Sequence, residues 1–313
     1  MRYFIFFGYD GTNYHGWQIQ PNANSVQQEL QRALSILLRK EMEVVGAGRT
    51  DTGVHARHMA AHFDTDRIPM EPDQLVYRLN RILPRDIAVY EVREVAPEMH
   101  ARFSAISRTY HYYIHTQKDP FERHYSLQMN YPLNFEKMNE AAQHFLHHED
   151  YAAFCKAGGD NKTTICHVTA ARWIQTSPTT WYFEITANRF LRNMVRAVVG
   201  TLIDVGREKI TMKQFLDILH NGSRSDAGES MPGTALFLEE VGFDFKDYHE
   251  IFHILRLRRH QLSRLADSAQ CQFGTAGVAA RPLHTSEKRD GGGGSRKNRY
   301  RRTCPTHGSP LRY

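Results

Sequence analysis

The sequence predicts an α+β fold, because one order of strands and helices occurs twice along the chain. Each copy follows the pattern β-α-β-β-α-β, with strands of alternating or continuous apolar residues and helices whose apolar residues recur every three or four positions. Units with this order are typical of ferredoxin-like and RNA-recognition-like modules. We therefore expect an N-terminal half at 1–103 and a C-terminal half at 104–246, with sheets that join.

The elements of the first half follow from local signals. The apolar segment RYFIFFGYD predicts a buried strand that ends in a turn at Asp10 and Gly11. Ser25 begins a helix, and Gln28 three residues later predicts a capping box. The other predicted elements of this half are a short strand at 43–47, the strand MAAHFDT, a helix over 72–82 and the strand DIAVYEV.

The second half repeats this order with a longer helical region. Asn134 is the predicted cap of its first helix, and apolar residues at helical spacing from Phe190 to Leu202 predict a long second helix. A shorter helix begins at Thr211, where Gln214 predicts another capping box. The predicted strands of this half are RTYHYYIH, TICHVTAARWIQT, TWYFEITAN and ALFLEEVGF.

The composition is that of an ordinary soluble protein, with 41% hydrophobic and 24% charged residues. No apolar run is long enough to cross a bilayer, and the apolar N-terminal stretch meets a turn too early for a signal sequence. The four cysteines are widely spaced without a CxxC pair, which favours reduced thiols. We therefore expect a cytoplasmic protein with no membrane partner.

The distribution of charge separates the body of the chain from its end. The whole sequence carries a net charge of +6, but residues 247–313 carry +8 (13 Lys and Arg against 5 Asp and Glu), which leaves −2 for residues 1–246. The end of the chain starts with a basic amphipathic segment and continues without hydrophobic periodicity, so we expect disorder there. Two interpretations stay open, namely a tail that adds non-specific RNA affinity and a dispensable extension.

A glycine-bracketed turn, GAGRTDTGVHA at 46–56, holds an aspartate that needs an explanation. Gly46 and Gly48 begin like a dinucleotide-binding fingerprint, but Asp51 occupies the place of the third glycine, where it repels a pyrophosphate. The segment after the turn is a predicted strand, so no helix N-terminus is available to hold phosphate. The pattern therefore excludes a nucleotide-binding loop.

A metal site is the second hypothesis for this region. His55, His58 and His62 share one face only if their segment is helical. The segment is β-like, which puts His58 and His62 on one face of a strand and leaves His55 in the turn. We therefore expect no metal here.

A catalytic carboxylate is the third hypothesis. Arg49 lies two residues before Asp51, and a positive charge nearby favours the charged form of a carboxylate. Such a carboxylate is a competent nucleophile or general base. An aspartate in a glycine-rich turn also serves for its backbone hydrogen bonds alone. The residues by themselves leave both roles of Asp51 open.

Segments in five regions of the chain resemble those of one enzyme family, in the same order. GRTDTGVHA is similar to the signature of the tRNA pseudouridine synthase A family, and YDGTNYHGWQIQ resembles the family's first motif. LNRILPRDIAV with HARFSAISRTYHYYI resembles its middle, NRFLRNMVRAVVGTLIDVG its later helix and GTALFLEEV its closing strand. The resemblance covers residues 1 to about 245, so the basic tail lies outside it.

The resemblance implies an enzyme that isomerises uridine to pseudouridine in the anticodon arm of tRNA, at tRNA positions 38, 39 and 40, without a cofactor or metal. It implies two RNA-recognition-like or ferredoxin-like halves that share one antiparallel sheet, with the active site in a central cleft between them. It also implies a homodimer in which the tRNA contacts both subunits.

Five residues take roles by matching the family's motifs. Asp51 corresponds to the catalytic acid, and Arg196 to the arginine that pairs with it. The target nucleotide must leave the helical stack for this chemistry, and Arg49 is suited to filling the space that it vacates. Tyr110 corresponds to the tyrosine that stacks on the target base, and Leu236 to an apolar residue beside that base.

Some features of the chain depart from the family pattern or add to it. Cys166 and His167 occupy a predicted strand where many relatives have an arginine, while His55 is expected to stabilise the turn, and Tyr112 shares a strand face with the stacking tyrosine. Because the body is slightly acidic, RNA binding is expected to depend on clustered arginines. The candidates are Arg57, Arg78, Arg81, Arg85, Arg102 and Arg108. The alternative function is a catalytically silent tRNA-binding protein or RNA chaperone on the same fold.

Overall fold

The computed structural model describes residues 1–156 and 162–245. The predictions for 247–313, a basic helix followed by disorder, lie outside the described residues. The strands are β1 (Arg2–Tyr9), β2 (Val45–Gly46), β3 (His55–Asp64), β4 (Ile87–Val95), β5 (Ala105–His115), β6 (Leu127–Gln128), β7 (Val168–Ser177), β8 (Thr180–Ala187) and β9 (Leu236–Phe243). The helices are α1 (Val26–Leu38), α2 (Pro72–Ile82), α3 (Phe135–Gln143), α4 (Met194–Gly206) and α5 (Met212–Asn221).

One sheet contains all of these strands. Its order is β4-β1-β3-β9-β5-β8-β7, with β2 paired to β3 and β6 paired to β5 off this path. Neighbouring strands are antiparallel apart from two short parallel pairings, β3 with β9 and β5 with β6. A mixed fold with a large, mostly antiparallel sheet confirms the predicted α+β class.

The last strand, β9, joins the two ends of the sheet. It lies between β3 and β5, so residues late in the chain connect the strands of the first hundred residues to those that follow. Two hydrophobic clusters form the core, and β9 contributes Leu236 to one and Leu238 and Val241 to the other. Tyr110 packs against both clusters, at the border between them.

The helix starts predicted from capping residues are confirmed. The Ser25 hydroxyl accepts a hydrogen bond from the backbone N–H of Gln28, although only this half of the predicted capping box is present at α1. Thr211 and Gln214 form both bonds of a capping box at α5. Asn134 caps α3 through its side-chain oxygen. These bonds satisfy backbone donors that have no partner in the first turn of a helix.

The long helix begins later than its apolar spacing predicts. Phe190 lies before α4, which starts at Met194, because Asn193 adopts a left-handed backbone conformation with φ of 66°. Asparagine tolerates this conformation better than most residues, and it ends regular helical geometry. The backbone carbonyl of Arg192 instead accepts a hydrogen bond from the N–H of Lys156. Residues 188–193 are thereby free of the helix and line a cleft.

The strand β7 is also shorter than predicted. It begins at Val168, so Cys166 and His167 precede the strand rather than occupying it. The N–H of Cys166 donates to the carbonyl of Glu149, and the carbonyl of His167 accepts from the N–H of Asn188. These contacts satisfy the N–H of Cys166 and the carbonyl of His167 outside the strand.

No helix within 1–156 and 162–245 is long and apolar enough to cross a membrane.

Candidate active site in a cationic cleft

A cleft of about 1740 Å³ opens along the border of the two hydrophobic clusters. It is lined by the turn that follows β2, the start of β5, residues 188–196 and part of β9. The five site residues predicted from the sequence all line it. They are Arg49, Asp51, Tyr110, Arg196 and Leu236.

Backbone hydrogen bonds to the segment after β1 fix the turn that carries Asp51. The N–H of Trp17 donates to the carbonyl of Thr50 (3.2 Å), and the N–H of Gly53 donates to the carbonyl of Tyr14 (3.3 Å). Gly16 has φ of 93°, and a Cβ there would lie 2.4 Å from the Thr50 carbonyl oxygen. Only glycine fits this close approach. The two motifs YDGTNYHGWQIQ and GRTDTGVHA thus form one structural unit.

Asp51 forms an ion pair across the cleft with Arg196, a residue of the first turn of α4. Nη1 of Arg196 lies 3.1 Å from Oδ2 of Asp51. Nε of Arg196 donates to the carbonyl of Met231, whose N–H donates to the Arg196 carbonyl. The guanidinium is therefore fixed at both ends of its planar fork. The side chain of Asp51 stays 34% exposed, and within the described residues its Oδ1 has no hydrogen-bond partner. That oxygen is available to a bound molecule.

Tyr110 lies on β5 beside this carboxylate, with its ring edge against Phe190 at a centroid distance of 5.1 Å. Burial raises the pKa of Tyr110 to about 12, and the charge of Asp51 acts in the same direction. The phenol therefore remains neutral at physiological pH. Tyr112, two residues on, is completely buried, and its hydroxyl donates to the carbonyl of Pro232. It is a core residue and does not line the cleft.

Leu236 and Arg49 lie in different parts of the cleft lining. Leu236 is the first residue of β9, is 5% exposed and belongs to one of the hydrophobic clusters. Arg49 is exposed, two residues before Asp51 on the turn. Leu236 therefore offers an apolar contact at the wall, while Arg49 offers a solvent-exposed cation on the turn.

The charge of the cleft is strongly positive. Asp51 is the one acid among the described residues that line it. The cationic lining residues are Arg49, Arg102, Arg108, Lys156, Lys162, Arg189, Arg192 and Arg196. Eight cations around one acid contrast with the net charge of −2 for residues 1–246. A cleft with this concentration of one sign of charge attracts a polyanion.

Only part of this charge was predicted from the sequence. Of the predicted arginine cluster, Arg102 and Arg108 line the cleft. Arg57 and Arg85 line a second cavity of about 580 Å³ instead, and the remaining two lie on α2. The cations that the prediction missed are Lys156, Lys162, Arg189 and Arg192. The segment ANRFLRNM contains two of these cations, Arg189 and Arg192. They were missed because the apolar spacing of the segment predicted a helix there.

Arg108 holds the parts of the cleft together. Its guanidinium donates to four backbone carbonyls, at 2.6 to 3.1 Å, from three separate segments. The acceptors are the carbonyls of Ala47, Arg102, Ala105 and Asn188. Burial lowers the pKa of Arg108. Arg108 fixes the start of the turn that carries Asp51 against the segment that carries Arg189.

His55 stabilises the same region from outside the cleft. The sequence predicted His55 to lie in the turn, but it is the first residue of β3. Its Nδ1 accepts from the N–H of Gly11, its Nε2 lies 3.0 Å from the carbonyl of Thr234, and its ring stacks on Phe237. Burial lowers the pKa of His55, although the Asp10 carboxylate, whose Oδ1 lies 3.0 Å from Nδ1, acts in the opposite direction. His55 thus links the loops that flank Asp51.

The described residues contain no group of three or more His, Cys, Asp or Glu placed to hold a metal ion. His58 bonds the carbonyl of Glu239 through Nδ1, and His62 accepts from the N–H of Ala101 through Nδ1. The histidines that the sequence brings together along β3 are therefore engaged by separate backbone groups.

A cationic cleft with one charge-paired carboxylate defines an enzyme-like site for a polyanion such as RNA. Comparison with known proteins identifies the class more closely. The family described as tRNA pseudouridine synthase matches residues 5–104 and 141–244, which include Arg49, Asp51, Arg196 and Leu236 but not Tyr110. The chain belongs to this family.

Curated relatives with the name tRNA pseudouridine synthase A occur in several bacteria. The protein of Bacteroides fragilis is 53% identical over 242 residues, which cover 77% of this chain and 96% of the relative. That of Thermoanaerobacter sp. (strain X514) is 43% identical over 236 residues, 74% of this chain and 96% of the relative. That of Bacillus subtilis (strain 168) is 38% identical over 248 residues, 78% of this chain and 100% of the relative.

Proposed function

We propose that this chain isomerises uridine to pseudouridine in tRNA, with Asp51 as the catalytic acid. The names of its relatives support the reaction and the substrate. The observation that carries the catalytic role is the position of Asp51. It is the one acid in the described lining of a cationic cleft, and Arg196 pairs with one of its oxygens while the side chain stays 34% exposed.

The proposed reaction balances without an external reagent. The bond between uracil N1 and sugar C1′ breaks, a bond between C5 and C1′ forms, the proton on C5 leaves and N1 gains a proton. Because nothing is oxidised or reduced, the site needs a group that acts at the sugar and one that holds the detached base. Asp51 acts at the sugar, either by attack on C1′ or by abstraction of a proton as the glycosidic bond breaks.

The other cleft residues serve the nucleotide that leaves the RNA stack. Tyr110 stacks on the uracil, an interaction of about 1–3 kcal/mol for a base on an aromatic ring. Leu236 packs beside the same base and excludes water. Arg49 enters the space that the flipped nucleotide vacates, where its planar guanidinium stacks on neighbouring bases. The remaining cations bind the phosphates of the RNA strand.

Finer assignments complete the proposal. The motif resemblance supports the anticodon arm as the target, with tRNA positions 38, 39 and 40, and a homodimer that contacts the tRNA through both subunits. A cytoplasmic location follows from the proposed substrate. The strand order supports two RNA-recognition-like or ferredoxin-like halves, 1–103 and 104–246, because strands from each half occupy opposite ends of one sheet.

The deciding experiment maps pseudouridine by carbodiimide labelling and primer extension in an unmodified tRNA transcript. The proteins are the wild-type chain, Asp51→Asn and a matched control, Asp217→Asn, which changes an exposed aspartate on α5. We expect stops in the anticodon arm with the wild type and the control but not with Asp51→Asn, while tRNA affinity changes only a few-fold. The absence of stops with all three proteins, despite tRNA binding, would instead identify a silent tRNA-binding protein.

A further inference from the structure

Four exposed apolar side chains line the cationic cleft and are together called the apolar strip. It consists of Ile19, Val45, Phe103 and Ile106, which are 42%, 40%, 75% and 59% exposed. All four line the cleft. Large apolar side chains that remain exposed to water within a groove are characteristic of a ligand-binding or interaction surface. None of the roles proposed above for the flipped nucleotide uses this strip.

Phe103 is the most exposed member of the strip, and its ring is oriented by its neighbours. His100 packs against it with a centroid distance of 4.4 Å, and the guanidinium carbon of Arg102 lies 5.6 Å from the ring centroid. The N–H groups of Arg102 and Phe103 are both within hydrogen-bond distance of Nδ1 of His100, which fixes this turn. The ring is therefore contacted by His100 and Arg102, while Phe103 as a residue stays 75% exposed.

The strip lies next to the turn that carries the catalytic acid. Nη2 of Arg108 donates both to the carbonyl of Ala47 (3.0 Å) and to the carbonyl of Arg102 (2.7 Å). One nitrogen atom thus connects the segment of Phe103 to the segment that begins the turn of Asp51. Asp51, Tyr110 and the strip line the same cleft, so a strand that binds along the cleft can contact all of them.

We propose that the apolar strip is a platform on which one unpaired nucleobase, adjacent to the target nucleotide, stacks against Phe103. The proposal rests on the function proposed above. A nucleobase is an apolar, flat group on a charged strand, so an aromatic ring among phosphate-binding cations fits it. The base must be unpaired, because stacking within a duplex covers its faces. An apolar peptide fits less well, since eight cations surround the strip and the cleft.

The test is a double-mutant cycle between the ring and the base. Binding is measured with the full chain carrying Asp51→Asn, so that the RNA is not converted, and with an anticodon-arm hairpin that has an abasic site at one loop position at a time. We expect Phe103→Ala to weaken binding of the intact hairpin about 5- to 160-fold, equivalent to about 1–3 kcal/mol. At one abasic position, the protein with Phe103 intact should bind the hairpin more weakly by the same factor. Phe103→Ala should then cause no further loss of affinity for that abasic hairpin.

Two control variants distinguish stacking from other effects. Phe103→Trp keeps an aromatic face and should retain affinity. Tyr77→Ala removes a comparably exposed ring (68%) from α2, outside the cleft, and should bind normally. Because Phe103 is exposed, Phe103→Ala should unfold at the temperature of the parent, which is checked by circular dichroism.

The outcomes separate this proposal from the one on which it rests. Normal binding by Phe103→Ala, or an equal loss on every abasic hairpin, overturns the platform. A change in oligomeric mass without a change in RNA affinity also overturns it and assigns the strip to a second copy of the chain. Pseudouridine formation by the chain with Asp51 intact is assayed in parallel. If no pseudouridine forms but the double-mutant cycle gives the expected coupling between Phe103 and one base, only the proposed function is overturned.

Discussion

Nη1 of Arg196 lies 3.1 Å from Oδ2 of Asp51, although 145 residues separate the two in the sequence. The contact joins the turn after β2 to the first turn of α4 and so depends on the tertiary structure of the whole cleft. The same guanidinium bonds the carbonyl of Met231 through Nε. The orientation of the proposed catalytic carboxylate is therefore set by one planar group with two acceptors.

Arg196→Lys should lower kcat at least tenfold, equivalent to about 1.4 kcal/mol, because a single ammonium cannot hold both acceptors in the geometry of the fork. Arg196→Met should lower it further, with tRNA affinity within a few-fold of the wild type. The measurement is single-turnover pseudouridine formation at saturating enzyme. Arg32→Met serves as the control, since it breaks an exposed pair with Glu29 on α1. Equal kcat in wild type and both Arg196 variants contradicts a role in positioning Asp51.

Tyr110→Ala should reduce turnover and weaken RNA binding together, by a factor of about 5 to 160 from the lost stacking alone. Tyr110→Phe retains the ring and isolates the contribution of the hydroxyl. Because the pKa of Tyr110 is raised to about 12, the hydroxyl keeps its proton through the neutral and mildly alkaline range. The kcat of the wild type should therefore show no decline from Tyr110 ionisation between pH 7 and about pH 10. Normal kinetics in Tyr110→Ala would remove this residue from the site.

The double substitution Arg189→Ala and Arg192→Ala should weaken tRNA binding to a similar degree for all tRNA sequences. Each phosphate contact contributes about 0.7 to 0.9 to the slope of log K against log salt, so two lost contacts should reduce the slope by about 1.4 to 1.8. The control is Lys137→Ala with Lys213→Ala, two exposed lysines on α3 and α5 outside the cleft, which should leave the slope unchanged. An unchanged slope in the cleft variant would show that these arginines do not contact phosphate.

The free energy of unfolding should fall as the pH decreases from about 6.5 to about 4. Burial lowers the pKa of His62 to about 4 from 6.5, and the positive charge of Arg2 adds to this effect. The unfolded chain thus binds a proton in this range that the folded chain excludes, so acid favours unfolding. Protonation of Nδ1 would also break the bond from the N–H of Ala101. Urea titrations at pH 7 and pH 5 measure the change.

His62→Asn should reduce this pH dependence, because asparagine offers an oxygen acceptor in a similar position and does not titrate. The burial of His55 and His100 also lowers the pKa of each, so part of the dependence should remain in the variant. The same loss of unfolding free energy in His62→Asn and in the wild type would assign the effect to other groups.

The sequence predicted the chemical content of the cleft better than its shape. Asp51, Tyr110 and Arg196 were named from short motifs, and the structure brings them together. Element types and helix caps were also predictable, because apolar periodicity and capping residues act within a few positions. What they could not give was the place of β9. Its pairing with β3 joins His55 to Phe237, and no local pattern records a partner so far along the chain.

The two boundary errors have physical causes that apolar periodicity does not record, namely a left-handed residue before α4 and tertiary hydrogen bonds before β7. Phe190 and Met194 continue a helical apolar period, but Asn193 interrupts the helix and the segment bonds to Lys156 instead. Cys166 follows a β-like pattern, yet its N–H bonds to the carbonyl of Glu149. The net charge of −2 for residues 1–246 also gave no sign of a cationic cleft. Acidic residues elsewhere in this range offset the cations that the fold gathers in the cleft.

The central position of β9 also sets the order in which the enzyme is completed during synthesis. Every strand that flanks β9 is translated before it, so the nascent sheet has a gap between β3 and β5 until residues 236–243 leave the ribosome. Long-range pairing of this kind is slow, because the chain must close a large loop before any contact forms. Premature termination before Leu236 would leave both hydrophobic clusters without their shared strand. A shortened product therefore retains Arg49, Asp51, Tyr110 and Arg196 but lacks the strand that assembles them into one cleft.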